Sequence, residues 1–181
     1  MIQDNSFEQL EQFDYIDWDI IEEKKYNYAP EIWLFLIEFS KFDHHLNLEL
    51  SELFSDRAHV VGYIVIAQLA ISTKLELYKK FLTRKIVYLS TLENKEKNIQ
   101  KLDKFIKLAK SIIEFRNIIS HCNWFSLKEK GMIRIKTEFN TSSSGFVAFK
   151  NRQIYPRTIR SYTIKIMKAL IFLSKLSSSE F

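Results

Sequence analysis

The sequence predicts an all-α fold: an antiparallel helical bundle of four to five long helices, with a small β-hairpin inserted before the last helix. Three observations lead there. Only three glycines and two prolines interrupt 181 residues, too few for the tight turns of an all-β sandwich or barrel. Hydrophobic residues make up 46% of the chain, with 15 Phe, enough apolar surface for a substantial core. Finally, apolar positions recur at helical spacing over most of the chain. The length suits one domain, read as an acidic arm over residues 1–29 followed by a helical domain over 30–181.

Pro30 marks the start expected for the first long helix, because proline fits the first helical turn, where its missing N–H is not needed. "EIWLFLIEFSKFDHHLNLELSELF" then carries that helix to about residue 54. The next helical stretch runs from a cap at Ser55 or Asp56 to about residue 92, and a break inside it is not located by the sequence. "NKEKNIQKLDKFIKLAKSIIEFRNIISHCNW" is the clearest amphipathic pattern. Leu102, Phe105, Ile106, Ala109, Ile112 and Ile113 fall on one face and Lys101, Lys104, Lys107 and Lys110 on the other, with Asn94 as the expected cap. The period then changes from helical to alternating. "GMIRIKTEF" and "GFVAFKNRQIY" flank the turn-forming "NTSSS", which predicts a hairpin with strands at about 132–138 and 145–150. A last amphipathic helix is expected over about 158–177.

Charge is unevenly distributed. Residues 1–23 hold eight acidic residues and no Lys or Arg, so the remaining 158 residues carry +13 of a chain whose net charge is +5. Such a body attracts polyanions such as RNA, and an acidic arm opposes or covers that field. The plainer reading is a lysine-rich solvated surface. The single cysteine, Cys122, cannot form an intramolecular disulfide, and the acidic start does not resemble a secretory leader. A cytoplasmic protein is therefore expected. The longest apolar run, residues 60–71, has 12 residues, short of the roughly 20 a membrane span requires.

The richest chemistry lies in "FRNIISHCNW", residues 115–124. Read as helix, Asn117 and His121 are neighbours at i and i+4, as are Arg116 and Ser120. Arg116 and His121 are separated by about 140° and ~7.5 Å of rise, so the arginine must lean toward the histidine to share a ligand. Histidine exchanges protons near neutral pH, and an arginine fork matches phosphate oxygens. Those are the parts needed to cleave RNA through its own 2′-OH: a base, an acid and a cation for the phosphorane charge. One histidine per chain leaves a proton-transfer role vacant, which a two-fold dimer would fill.

Arg116, the polar Asn117 after it, two isoleucines, small Ser120, His121 and nearby Trp124 resemble the R-x4-6-H motif of the HEPN superfamily (higher eukaryotes and prokaryotes nucleotide-binding domains). In organisation the resemblance extends over residues 30–177; in motif it covers about ten residues. It implies a homodimeric, metal-independent endoribonuclease of toxin or antiviral-defence type, requiring no cofactor and restrained by an antitoxin or regulatory protein. Arg116 and His121 would be catalytic, and Asn117 would orient the histidine or contact RNA. Glu76, similar to polar residues that another HEPN helix contributes, would approach the site, against the plainer reading of a surface carboxylate. HEPN toxins paired with a minimal nucleotidyltransferase carry a tyrosine two positions after the histidine, where this chain has Asn123.

Two other readings stay open: a non-catalytic HEPN-like module that binds a protein partner, nucleotide or RNA, and a helical RNA-binding protein that uses only its lysine face. His44 and His45 beside Asp43 invite a metal site. Adjacent helical side chains diverge by about 100°, and no third ligand lies at metal spacing, so no metal is expected there. Cys122 diverges from His121 in the same way and is read as a small packed residue. His59 is read as structural. The three glycines, at 62, 131 and 145, are too scattered for a phosphate-binding loop.

Overall fold

The computed structural model describes the backbone over residues 18–54, 59–121, 123–127, 131–139 and 147–177, and side chains over 26–53, 62–91, 94–121 and 154–175. Five helices and three strands lie among the described residues: α1 Trp18–Phe54, α2 His59–Ala67, α3 Ile71–Leu89, α4 Leu92–Ser120, β1 Asn123–Leu127, β2 Gly131–Phe139, β3 Val147–Gln153 and α5 Pro156–Ser177. The chain divides into two compact units. The first is drawn from the chain up to Phe35 and from Ile118–Ser161, the second from Leu36–Asn117 and from Tyr162 onward.

The second unit is a helical bundle whose core follows the 3.6-residue period. Phe39, Phe42, Leu46 and Leu50 of α1 are buried, as are Leu75, Tyr78, Leu82 and Ile86 of α3. On α4 Leu102, Phe105, Ile106, Ala109, Ile112 and Ile113 are all buried, while Lys101, Lys104, Lys107 and Lys110 are exposed. Ile66 of α2 and Ile166, Ala169 and Leu173 of α5 are buried as well. Phe105, fully buried, is the hub: its ring lies 6.5 Å from Phe42, 5.7 Å from Tyr78 and 6.0 Å from Phe172. These are the offset and edge separations that aromatic pairs favour. Ion pairs Glu76–Lys110 (2.7 Å) and Lys79–Asp103 (3.0 Å) pair rising positions of α3 with falling positions of α4. The two helices therefore run antiparallel.

Within the first unit, the three strands form an antiparallel sheet in the order β1-β2-β3. Asn123 pairs with Ile135 and Trp124 with Arg134 on one side of β2, and Ile135 with Asn151 on the other. The segment of α1 before Phe35 is tied to the β3–α5 junction: the buried Tyr28 hydroxyl donates to the Ile154 carbonyl at 2.8 Å. Arg160 of α5 donates to the Glu31 carboxylate, through Nε at 3.0 Å and also through Nη2. Pro156 opens α5, and the Tyr155 carbonyl accepts from the N–H groups of Thr158 and Ile159.

Several boundaries differ from the sequence reading. Pro30 stands inside α1, which begins at Trp18. A proline there removes one helical hydrogen bond, to the Tyr26 carbonyl, and the Tyr28–Ile154 bond fixes the turn it weakens. The second helical stretch is broken at residues 68–70, where the Leu69 N–H turns back to the Ile66 carbonyl at 3.0 Å. Asn94 is not the cap of α4. The helix starts at Leu92, and the Thr91 carbonyl accepts its first bond from Lys95 at 3.0 Å, as an N-cap residue does. The amphipathic pattern does not stay helical to Trp124: α4 ends at Ser120, and strand pairing with β2 takes over from Asn123. The expected caps at Ser55 and Asp56, the "NTSSS" turn and Cys122 lie outside the described residues.

Candidate functional site

Because α4 is buried along one stripe, its last turns present the other side to water. Phe115 and Ile119 are buried, Arg116 and Ile118 half-buried, and Asn117 and Ser120 exposed. Burial of Phe115 is reinforced by Tyr162, whose ring stacks on it at 3.8 Å between centroids. The turn that carries Arg116 is thus fixed by packing rather than by its own polar groups.

The Arg116 guanidinium lies 5.7 Å from the centroid of the Phe39 ring. A cation over an aromatic face is held by the ring quadrupole without its N–H donors being used. One of those donors approaches Asn117 Oδ1 at 3.4 Å, a long and weak bond. Among the described residues no carboxylate pairs with Arg116. Its fork is oriented from below by a ring and available to an anion. Sequence reasoning missed Phe39 in this role, although an aromatic in "IEFSKF" at helical spacing was the signal available.

His121 is exposed and sits in the bend directly after α4, not on the helix. The helical i, i+4 relation assigned to Asn117 and His121 therefore does not strictly apply. Among the described residues the imidazole has no hydrogen-bond partner. The pair is also divided between the units: Arg116 and Asn117 belong to the second, Ser120 and His121 to the first.

Glu76 is an exposed residue of α3 whose partner is Lys110 at 2.7 Å. Lys110 precedes Arg116 by six residues, about 9 Å along the axis. The bond and charge of Lys110 hold the Glu76 carboxyl below the usual carboxylate range, with smaller contributions from Lys79 and Lys80.

The "FDHH" segment resolves into structural bonds. Asp43 accepts from the Lys74 ammonium at 2.9 and 3.2 Å. His44 Nδ1 lies 3.1 Å from the Tyr63 hydroxyl, with the two rings edge to face at 6.0 Å. No three of His, Cys, Asp and Glu gather into a metal-binding group among the described residues. Nor is any helix there long and apolar enough to cross a membrane. The Asp43–Lys74 pair was not anticipated, since only the tertiary packing puts Lys74 inside.

Comparison with known proteins adds no likeness: no family model, no curated protein and no solved structure matches the chain.

Proposed function

We propose that this chain is a metal-independent endoribonuclease of HEPN type that acts as a homodimer, as a toxin or antiviral-defence effector under the control of an antitoxin or regulatory protein. The observation that carries the reading is the order Arg116, Asn117, His121 at the end of α4, with an arginine fork that no carboxylate occupies and an exposed, unbonded imidazole among the described residues. In the proposed reaction, one His121 takes the proton of the 2′-OH, and the 2′-oxygen attacks phosphorus. Arg116 offsets the charge that builds on the phosphorane oxygens. The P–O5′ bond breaks, and the partner subunit's His121 protonates the departing 5′-oxygen, leaving a 2′,3′-cyclic phosphate and a 5′-hydroxyl.

The purified chain is incubated with RNA in excess chelator beside Arg116→Ala and His121→Ala. Cleavage by the wild type alone is expected, with each substitution costing at least about a hundredfold in rate. Cleavage that survives both substitutions, or that only chelator abolishes, overturns the proposal. No cleavage by any form favours the non-catalytic module. Light scattering tests the dimer separately, and a monomer at working concentration removes the second histidine from the mechanism.

A further inference from the structure

An exposed stripe on α3 remains that the proposed chemistry does not use. Lys80, Arg84 and Tyr88 stand at i, i+4 and i+8, so they form one row with about 6 Å between successive members. Lys79, Thr83 and Val87 line the row beside them, and the whole stripe borders an open groove. Two features set this face apart from an ordinary solvated helix.

The first is an excess of positive charge: Glu76, the carboxylate that also lines the groove, is bonded to Lys110 and only weakly offsets Lys79 and Lys80. Lys79 is engaged by Asp103, but no carboxylate pairs with Lys80 or Arg84 among the described residues. Residues 71–117, which include α3 and nearly all of α4, hold twelve Lys and Arg against five Asp and Glu, so the surroundings reinforce the row. The second is Tyr88, 73% exposed at the end of the row beside Val87 at 42%. A large ring left in water gains nothing from the core. The Arg84 guanidinium lies 5.7 Å from its centroid, which steadies the ring and leaves it available to a flat partner.

We infer that this row binds single-stranded RNA, with Lys80 and Arg84 on consecutive phosphates and Tyr88 stacked on an unpaired base. A repeat of about 6 Å on the helix is close to the spacing of neighbouring phosphates in an extended strand. Alternating cations with an exposed aromatic is the arrangement that grips single strands without reading sequence. A duplex satisfies only the cations, because its bases are already stacked and paired. The inference takes its ligand from the function proposed above, and places on α3 a grip that holds the strand without touching the bond that is cut.

Binding of a fluorescein-labelled twelve-nucleotide RNA lacking secondary structure is measured by anisotropy in the His121→Ala background, so that cleavage does not interfere. Lys80→Glu with Arg84→Glu should lower affinity at least about tenfold at moderate salt. The neutral pair Lys80→Ala with Arg84→Ala should flatten the slope of log K against log salt by about 1.4, two phosphate contacts at roughly 0.7 each. Tyr88→Ala should cost about fivefold or more, and Tyr88→Phe, which keeps the ring, should bind as the parent does. Lys168→Glu, on the exposed face of α5, should change affinity less than twofold.

The inference is overturned if the α3 variants bind within twofold of the parent. Equal loss with Lys168→Glu, or a duplex that binds as tightly and is indifferent to Tyr88→Ala, also overturns it. Failure of the catalytic proposal gives a different result: RNA bound along α3 with no cleavage by the wild type.

Discussion

Replacing Asp43 by Asn would leave one of the most deeply buried charges in the protein without its partner. The Lys74 side chain is 2% exposed and its ammonium lies 2.9 and 3.2 Å from the two Asp43 oxygens, while Asp43 itself is 34% exposed. Breaking a fully buried pair costs about 3–5 kcal/mol, because the orphaned charge keeps its desolvation penalty. Water reaches a third of Asp43 and can follow the change inward, so the expected loss is about 2–3 kcal/mol. Lys74→Met removes the buried charge and keeps the length of the stem. On its own it should cost less than about 1 kcal/mol, since Asp43 can be solvated where it stands. The double variant should then lie within about 1 kcal/mol of the wild type, giving a coupling energy that the single variants do not sum to. Urea unfolding followed by far-ultraviolet circular dichroism is the suitable assay, because Trp18, Trp33 and Trp124 all belong to the first unit and this pair to the second. A cost below about 0.5 kcal/mol for Asp43→Asn, or no recovery in the double variant, would refute the reasoning.

Tyr78 offers a test of the opposite sign. Its hydroxyl is buried with no hydrogen-bond partner among the described residues, and burial, then the charge of Glu49, pushes its ionisation well above the usual tyrosine range. Tyr78→Phe should stabilise the protein by about 1 kcal/mol near neutrality, because an unsatisfied polar group disappears. Since the folded state holds the proton more tightly than the unfolded chain, Tyr78's contribution is intact below about pH 10 and is lost as pH rises above it. Urea midpoints at pH 8 and pH 11 should therefore diverge less in Tyr78→Phe than in wild type, and an equal divergence rejects this. In the first unit, Tyr28→Phe should cost about 1 kcal/mol by leaving the buried Ile154 carbonyl unpaired. Thermal unfolding monitored by tryptophan fluorescence reads it, and an unchanged midpoint counts against the role given to that bond.

The helices were legible where local pattern and tertiary burial agree. Leu102 to Ile113 repeat at helical spacing and are buried at every predicted position, so the hydrophobic period alone located them. Boundaries were less legible because other forces set them. Pro30 signals a start, but the Tyr28–Ile154 bond holds a helical turn ahead of it, and that bond depends on a residue 126 positions away. At residues 68–70 the chain has neither Gly nor Pro, so no local breaker announces the gap between α2 and α3. Beyond Ser120, β1 is only five residues long and its "NWFSL" does not alternate, so nothing local separates it from the apolar helical run before it.

For the candidate site, the residue types were legible and their supports were not. Arg116, Asn117 and His121 are visible as a motif, yet the ring of Phe39 beneath the arginine comes from a different helix. Asp43 drew attention for the histidines next to it. Its real partner, Lys74, is a lysine inside a lysine-rich stretch, where no periodic signal separates the buried one from the exposed ones.

The hydrogen bond from Tyr28 to Ile154 has a bearing on how the protein is made. The first unit joins the chain before Phe35 to a stretch that begins at Ile118. At about 5–20 residues per second, a ribosome finishes Ile154 some 6–25 seconds after Tyr28. Over that interval Tyr28 waits for its acceptor, while α3 and α4 can already zip together through neighbouring positions in the chain. Loop closure over so long a separation also costs entropy that the helix pair does not incur. The order of assembly is thereby set by connectivity: α3 pairs with α4 first, Tyr28 finds Ile154 only as α5 begins to emerge, and α5 then finishes the bundle.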